Sequence, residues 1–231
     1  MMAKSNNSVL RLVRAFRAFS YKVTYTGYSD PLKHVKLLVK FGKPGDVVDV
    51  GAGQQQYREV LSTLGKYVSI DIVPGADLIG SVYELPFENG SADTIGLFMV
   101  MEHLAEPKAA VKECSRVLKK DGVLLITTPQ YWHFHSWPND YFRYTKEGLR
   151  HLCNENGLEV IEMRSMGGPF LVLFHVIDVN LKLYGGSFRR ILVYNPLALI
   201  FNFLDFVFFK HQDKRAESDS VGWAVAARKR G

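Results

Sequence analysis

Val47–Tyr57, VVDVGAGQQQY, decides the reading of this chain, together with YVSID at Tyr67–Asp71. Val47–Val50 is a short apolar run that stops at a glycine turn and opens a helical pattern, as a buried strand does. Gly51 and Gly53 carry no Cβ, so the backbone can turn sharply there and let a ligand lie against it. Asp71 closes the next apolar run, where a carboxylate can accept hydrogen bonds from the two hydroxyls of a ribose. Asp49 sits two residues before the first glycine, at the strand end, where it can orient the loop or receive a cationic group. The combination points to a nucleoside cofactor. A dinucleotide fingerprint would carry a third glycine in G-x-G-x-x-G, but Gln54-Gln55-Gln56 follows instead, and no G-x-x-x-x-G-K-[ST] phosphate loop occurs.

Further pieces follow in a fixed order: Leu85-Pro86-Phe87, Ser91-Ala92-Asp93, Glu102-His103, Arg116-Val117-Leu118-Lys119-Lys120-Asp121-Gly122 and Thr127-Thr128-Pro129. With them the chain resembles the class I S-adenosylmethionine-dependent methyltransferases over about residues 42–164. It resembles in particular the small group that carries LPF, EH, RVLK-x-G and TP in that order. A later piece, His135-x-x-Pro138-x-Asp140-Tyr141-x-Arg143-Tyr144-Thr145, resembles a subgroup with glycan-related members. The resemblance implies a Rossmann-like α/β fold, a doubly wound, mostly parallel seven-stranded sheet, and S-adenosylmethionine as cofactor. It implies that Gly51 and Gly53 line the methionine part and that Asp49 supports the loop near the amino group. Asp71 would hold the ribose and Ile72 would flank the adenine. Ser81 and Val82 stand where this family often has an acidic residue facing the adenine amine. Phe98 and Met99 would floor the cofactor, and His103 would hold its loop by hydrogen bonds. Gln55 replaces a common third glycine, which implies a different entry angle for the helix.

The acceptor side is expected in Pro129–Thr145, PQYWHFHSWPNDYFRYT, beyond the carboxyl end of the fifth predicted strand, where doubly wound sheets bind ligands. His133 and His135 can take a proton from a nucleophile near neutral pH. Arg143 can clamp a phosphate or carboxylate, and aromatic faces can stack on sugars or rings. The plainer alternative is an aromatic lid closed by an Asp140–Arg143 pair. No metal is expected, because the two histidines lack a third ligand in the sequence around them.

At 231 residues and 47% hydrophobic, the chain fits one α/β domain with an ordinary core and some extra. Cys114 and Cys153 lie in helical patterns with no C-x-x-C spacing, as small buried residues in a reducing compartment would. A net charge of +6 suits an anionic surface or a phosphorylated acceptor, and no ribonucleoprotein signature accompanies it, so nucleic acid is not expected. The charge is uneven: Lys4, Arg11, Arg14, Arg17 and Lys22 precede the first acidic residue, Asp30. Residues 8–20 therefore read as a basic amphipathic helix, packed on the core, resting on a membrane, or serving as a transit peptide.

Residues 1–29 are set apart as this basic segment, and 30–231 as the domain. Asp30 and Pro31 start a helix over 30–41. Strands are predicted near 46–50, 67–71, 93–98, 122–128, 157–164 and 221–228, with helices near 55–64, 106–118 and 145–155. Between the last two strands lies an apolar insert, 168–218, with blocks Pro169–Tyr184 and Ile191–Phe209. The second is long enough to approach a bilayer's thickness, but Asn195, Pro196, Asn202 and Asp205 interrupt it. A helical hairpin that covers the site, closes a homodimer or rests on a membrane is expected instead. The reading that results is a cytoplasmic enzyme, with peripheral membrane attachment as an alternative. It would transfer methyl to O or N of a small molecule, lipid or glycan. A nicotinamide oxidoreductase and a non-catalytic Rossmann-like interaction module are the rival classes.

Overall fold

The computed structural model describes residues 30–135, 139–184, 195–209 and 219–231. The basic segment at 8–20 lies outside them. The elements in order are α1 (Pro31–Leu38), β1 (Gly45–Val50), α2 (Arg58–Leu61), β2 (Gly65–Asp71), β3 (Leu78–Ile79), β4 (Ala92–Phe98) and α3 (Pro107–Val117). Then come β5 (Leu118–Pro129), α4 (Lys146–Glu155), β6 (Leu158–Ser165), α5 (Pro169–Tyr184), α6 (Asn195–Phe209) and β7 (Gly222–Lys229). The strands form one seven-stranded sheet in the order β3-β2-β1-β4-β5-β7-β6. All neighbours pair in parallel except β7, which runs antiparallel to both β5 and β6. This is the Rossmann-like methyltransferase fold.

Alternation along the central strands builds a core on each face, as the period of two requires. Val48, Val50, Ile95 and Leu97 pack with Ala110, Val111 and Cys114 of α3 and Leu149 and Cys153 of α4. Val47, Phe98, Val123 and Leu125 pack on the other face with Val35 and Leu38 of α1 and Leu61 of α2. Burial pushes both cysteine thiols up to about 12, which leaves them inert packing groups. Asp30 caps α1 by accepting from the Leu32 amide at 3.0 Å, ahead of Pro31.

Three elements differ from the sequence expectation. The helix expected over 55–64 is a four-residue α-helix, Arg58–Leu61, followed by a 3-10 turn, Ser62–Leu64. Gln55 at φ 56° and Gly65 at φ 145° interrupt the helical path on either side. The fifth strand begins at Leu118, four residues ahead of its expected start at 122, because Leu118 already pairs with Ala92 of β4. The two-residue strand β3 lies between Pro74-Gly75 and Gly80, too short to show any period.

The insert supplies α5 and α6, which share a small third core of Leu171, Phe174, Ala198 and Val221. Asp205, seen in sequence only as an interruption, is buried and bonds the start of α5. Its carboxylate accepts from the amides of Gly168 at 2.7 Å and Phe170 at 3.0 Å. Outward, Leu199, Ile200, Phe203, Val207 and Phe208 are exposed. No helix among the described residues is long and apolar enough to cross a membrane.

Candidate functional site

The sheet order reverses at β1. The chain leaves β1 toward β2 on one side and returns to β4 on the other, which opens a crevice at the carboxyl ends of β1 and β4. The glycine turn fills that point. Gly51 adopts φ +70°, and a Cβ there would strike the Val100 Cγ2 at 2.4 Å, so β1 can turn beside the end of β4 only with glycine. Gly53, at φ +51°, has nothing among the described residues within 4 Å of where a Cβ would stand. Its open face is therefore available to a ligand. Gln55 takes the left-handed conformation natural to the glycine it replaces. Its amide ties the loop instead, with Nε2 donating to Gly75 O and Oε1 accepting from Arg58, each at 2.6 Å.

Two carboxylates flank the turn. Asp71 Oδ2 accepts from the Gly53 amide at 2.8 Å and Oδ1 from Val73 at 3.1 Å, so it fixes the loop as well as facing the crevice. Each oxygen retains lone-pair capacity for a hydroxyl donor. Asp49 is 1% exposed and accepts from the Tyr67 hydroxyl at 2.8 Å. Burial raises its pKa to about 7, the Tyr67 bond opposes the rise and the like charge of Asp71 adds to it. That balance marks a carboxylate short of positive charge, as suits a site for an ammonium group. The residues present fit a nucleoside carrying an amino-acid tail.

The other cofactor-side residues divide. Ile72, directly after Asp71, is 61% exposed. Ser81 Oγ accepts from the Tyr83 amide at 3.2 Å, while Val82 is buried in the core with Leu85 and Ile70. Phe98 is also a core residue, edge-on to Tyr57 with ring centroids 5.0 Å apart. Met99, at φ 54°, turns away from the strand and lines a cavity of about 220 Å³. Gln56, Tyr57, Thr128, Pro129 and Trp132 complete much of its wall. Thr128 and Trp132 on that wall were not singled out in the sequence, where a threonine in TTP and one aromatic among many carry no distinguishing signal.

The described parts of the loop after β5, residues 130–135 and 139–145, lie against the ends of β4 and β5, with the Tyr141 amide donating to Glu102 O and the Tyr144 amide to Pro129 O. Asp140, its side chain 2% exposed, forms a two-pronged ion pair with Arg143. The guanidinium also donates to the carbonyls of Trp132, His133 and Phe142. The Asp140 carboxyl is held near 2, chiefly by the Arg143 hydrogen bonds. Both charged groups are thus spent on shaping the loop. His133 stacks on Trp132 and borders a second cavity of about 360 Å³ with His175 and Val176. The His135 ring lies edge-on to that of His133, with centroids 6.0 Å apart, and also meets Glu102 and His103 on the 3-10 turn after β4.

The remaining signature pieces hold the fold. Arg116 donates to the carbonyls of Leu85 and Phe87, to Asn89 and to Glu113, while Glu113 accepts from the Leu85 amide. Lys119 bridges Asp46 at 3.0 Å and Asp93 at 2.6 Å, fastening the starts of β1 and β4.

Residues 48–126 match the family described as methyltransferase domain. A protein of Mycolicibacterium smegmatis named as a probable S-adenosylmethionine-dependent methyltransferase is 44% identical over 50 residues, 22% of this chain and 20% of its own length. This chain spans no more than about a third of the length of that and two mycobacterial relatives. Among solved structures, Haemonchus contortus phosphoethanolamine N-methyltransferase 2, in complex with S-adenosyl-L-methionine, superposes with a TM-score of 0.56 at 14% identity. The match covers 92% of this chain and 56% of that one. The [4+2]-cyclase SpnF has the same TM-score at 16% identity, covering 86% and 80% of the two chains. At these identities the likeness is one of fold, and the cyclase shows that fold alone does not set the chemistry.

Proposed function

We propose that this chain is a class I S-adenosylmethionine-dependent methyltransferase, carried by residues 30–231, that delivers methyl to an oxygen or nitrogen of a small-molecule, lipid or glycan acceptor. The observation that carries the reading is the glycine turn, open at Gly53, whose amide is held by Asp71, with the buried Asp49 at the end of the strand that leads into it. In it, Asp49 answers the ammonium of the cofactor's amino-acid tail, Asp71 accepts from the ribose hydroxyls and Ile72 flanks the base. The cofactor supplies a methyl on a sulfonium, so the enzyme's task is alignment more than covalent chemistry. Met99, Thr128 and Trp132 wall the 220 Å³ cavity where the acceptor would stand, next to the glycine turn. Arg143 and Asp140 brace the loop, and His133, stacked on the Trp132 that both cavities share, is the candidate proton acceptor. The exposed apolar face of α5 and α6 supports peripheral contact with a membrane, and with it a lipid-like acceptor.

Isothermal titration with S-adenosylhomocysteine and with NAD⁺ tests the cofactor. Binding of the first and not the second is expected, and the opposite pattern would establish the oxidoreductase class. Mass spectrometry of co-purified small molecules would then identify the acceptor.

A further inference from the structure

Glu102 is fully buried, and its Oε1 has no hydrogen-bond partner among the described residues. Its Oε2 receives one long contact, 3.3 Å from Thr128 Oγ1. A carboxylate removed from water in this state is costly unless a cation answers it. The groups around Oε1 are suited to bring one. His103 Nε2 stands 4.0 Å away, beyond hydrogen-bond range. The His135 ring lies edge-on to that of His103, with centroids 5.1 Å apart. One donor atom from each of Glu102, His103 and His135 falls within 4.8 Å of the other two.

The outer contacts fix the tautomers. His103 Nδ1 meets the Asn139 carbonyl oxygen at 2.5 Å, and His135 Nδ1 meets that of His133 at 3.1 Å with Asp140 at 3.6 Å. A carbonyl can only accept, so each Nδ1 carries the proton and each Nε2 keeps its lone pair for a ligand. Histidines that hold metals are oriented in this way, by a carbonyl or carboxylate behind the ring. The Asp140–Arg143 pair thereby acquires a purpose, since it sets the backbone that aims His135.

We propose that Glu102, His103 and His135 form a binding site for a first-row divalent cation such as Zn²⁺. Two imidazoles and one carboxylate are the donor set such ions take, with bonds of about 2.0–2.2 Å. Tetrahedral ligands at that length lie roughly 3.4 Å apart, so the cluster contracts by about an ångström on binding, within reach of side-chain rotation. Three protein donors leave a position open for water or a ligand oxygen. Ion binding here does not depend on methyl transfer, and each is measured separately.

The test is titration of ZnCl₂ into the tag-free, chelator-treated full chain, with circular dichroism to confirm that each variant is folded. One ion per chain is expected. Glu102→Gln keeps the Thr128 contact and His135→Ala removes a ring on the loop, and each should weaken Zn²⁺ binding at least about tenfold. His151→Ala serves as control, because His151 is exposed on α4 beside Glu155. Absence of stoichiometric binding to the parent would overturn the site. So would unchanged affinity in both variants, or an equal loss in the control.

Discussion

Among the described residues Asp49 has the Tyr67 hydroxyl as hydrogen-bond donor and no cation beside it, and its pKa, raised by burial to about 7, sets a direction for stability against pH. The native chain holds a proton there that the unfolded chain, with an ordinary carboxyl near 4, has released. Stability attributable to this residue therefore falls as pH rises from about 4 to about 7 and stays low above that. Asp49→Asn keeps an acceptor for Tyr67 and removes the buried charge. Its melting temperature should exceed the parent's by roughly 5 °C at pH 8 and match it near pH 4, read by calorimetry. Affinity for S-adenosylhomocysteine should fall in the same variant, since the ammonium loses its counter-charge. Asp71→Ala should weaken that ligand by about 1.5–3 kcal/mol in isothermal titration, losing both ribose acceptors and the Gly53 amide contact. Equal affinity would remove Asp71 from the site. His133→Ala should lower turnover by about 10²–10⁴-fold with ligand affinity intact, and unchanged turnover would mean no base acts there.

At the scale of elements, single polar side chains join pieces that apolar packing leaves loosely fixed. Asp205 on α6 meets the first amides of α5, groups that a helix start leaves without partners. Asp205→Ala strands those amides beneath the insert. About 1–3 kcal/mol of local stability should be lost, seen as faster hydrogen exchange across 169–184 and 195–209 while the sheet is unaffected. Arg116 does similar work between α3 and the Leu85–Asn89 turn. Arg116→Met fills the same space without the donors and leaves two carbonyls and Glu113 short. Urea unfolding should shift by about 1.5–3 kcal/mol at an unchanged m-value.

For the whole molecule, the open question is what meets the apolar face of the insert. Phe203 and Phe208 are each 63% exposed, beside Leu199, Ile200 and Val207. A chain with a net charge of +6 and a basic segment at its start should deliver that face to an anionic surface. Co-sedimentation with anionic liposomes is expected at low salt and should weaken as salt screens the attraction. A dimer that remains in the supernatant, with the insert protected from protease, would assign the face to a second copy instead.

Six of the seven strands, the glycine turn and the two carboxylates beside it are legible in the sequence. Each is local: Val47–Val50 reads as a strand from four neighbours, and Gly51 and Gly53 mark a turn that other residues strain to adopt. The methyltransferase resemblance was likewise legible, although Arg116 and Lys119 in its signature proved to fasten the fold. Relations between residues distant in sequence, or between the side chains of neighbours, are set by the packed sheet. Phe98 and Met99 are neighbours, yet the positive φ at Met99 sends one to the core and the other to the cavity. His133 and His135 share a loop but meet different partners, Trp132 for one and His103 for the other, with Arg143 holding the backbone at His133 and Asp140 at His135. Glu102 and His135 stand 33 positions apart, and only the pairing of β4 with β5 in the middle of the sheet brings their donors together at its carboxyl end. Periodicity and spacing report what a residue does to its own backbone. Where its side chain ends depends on which strand lies beside it, and that is fixed by packing of the whole sheet.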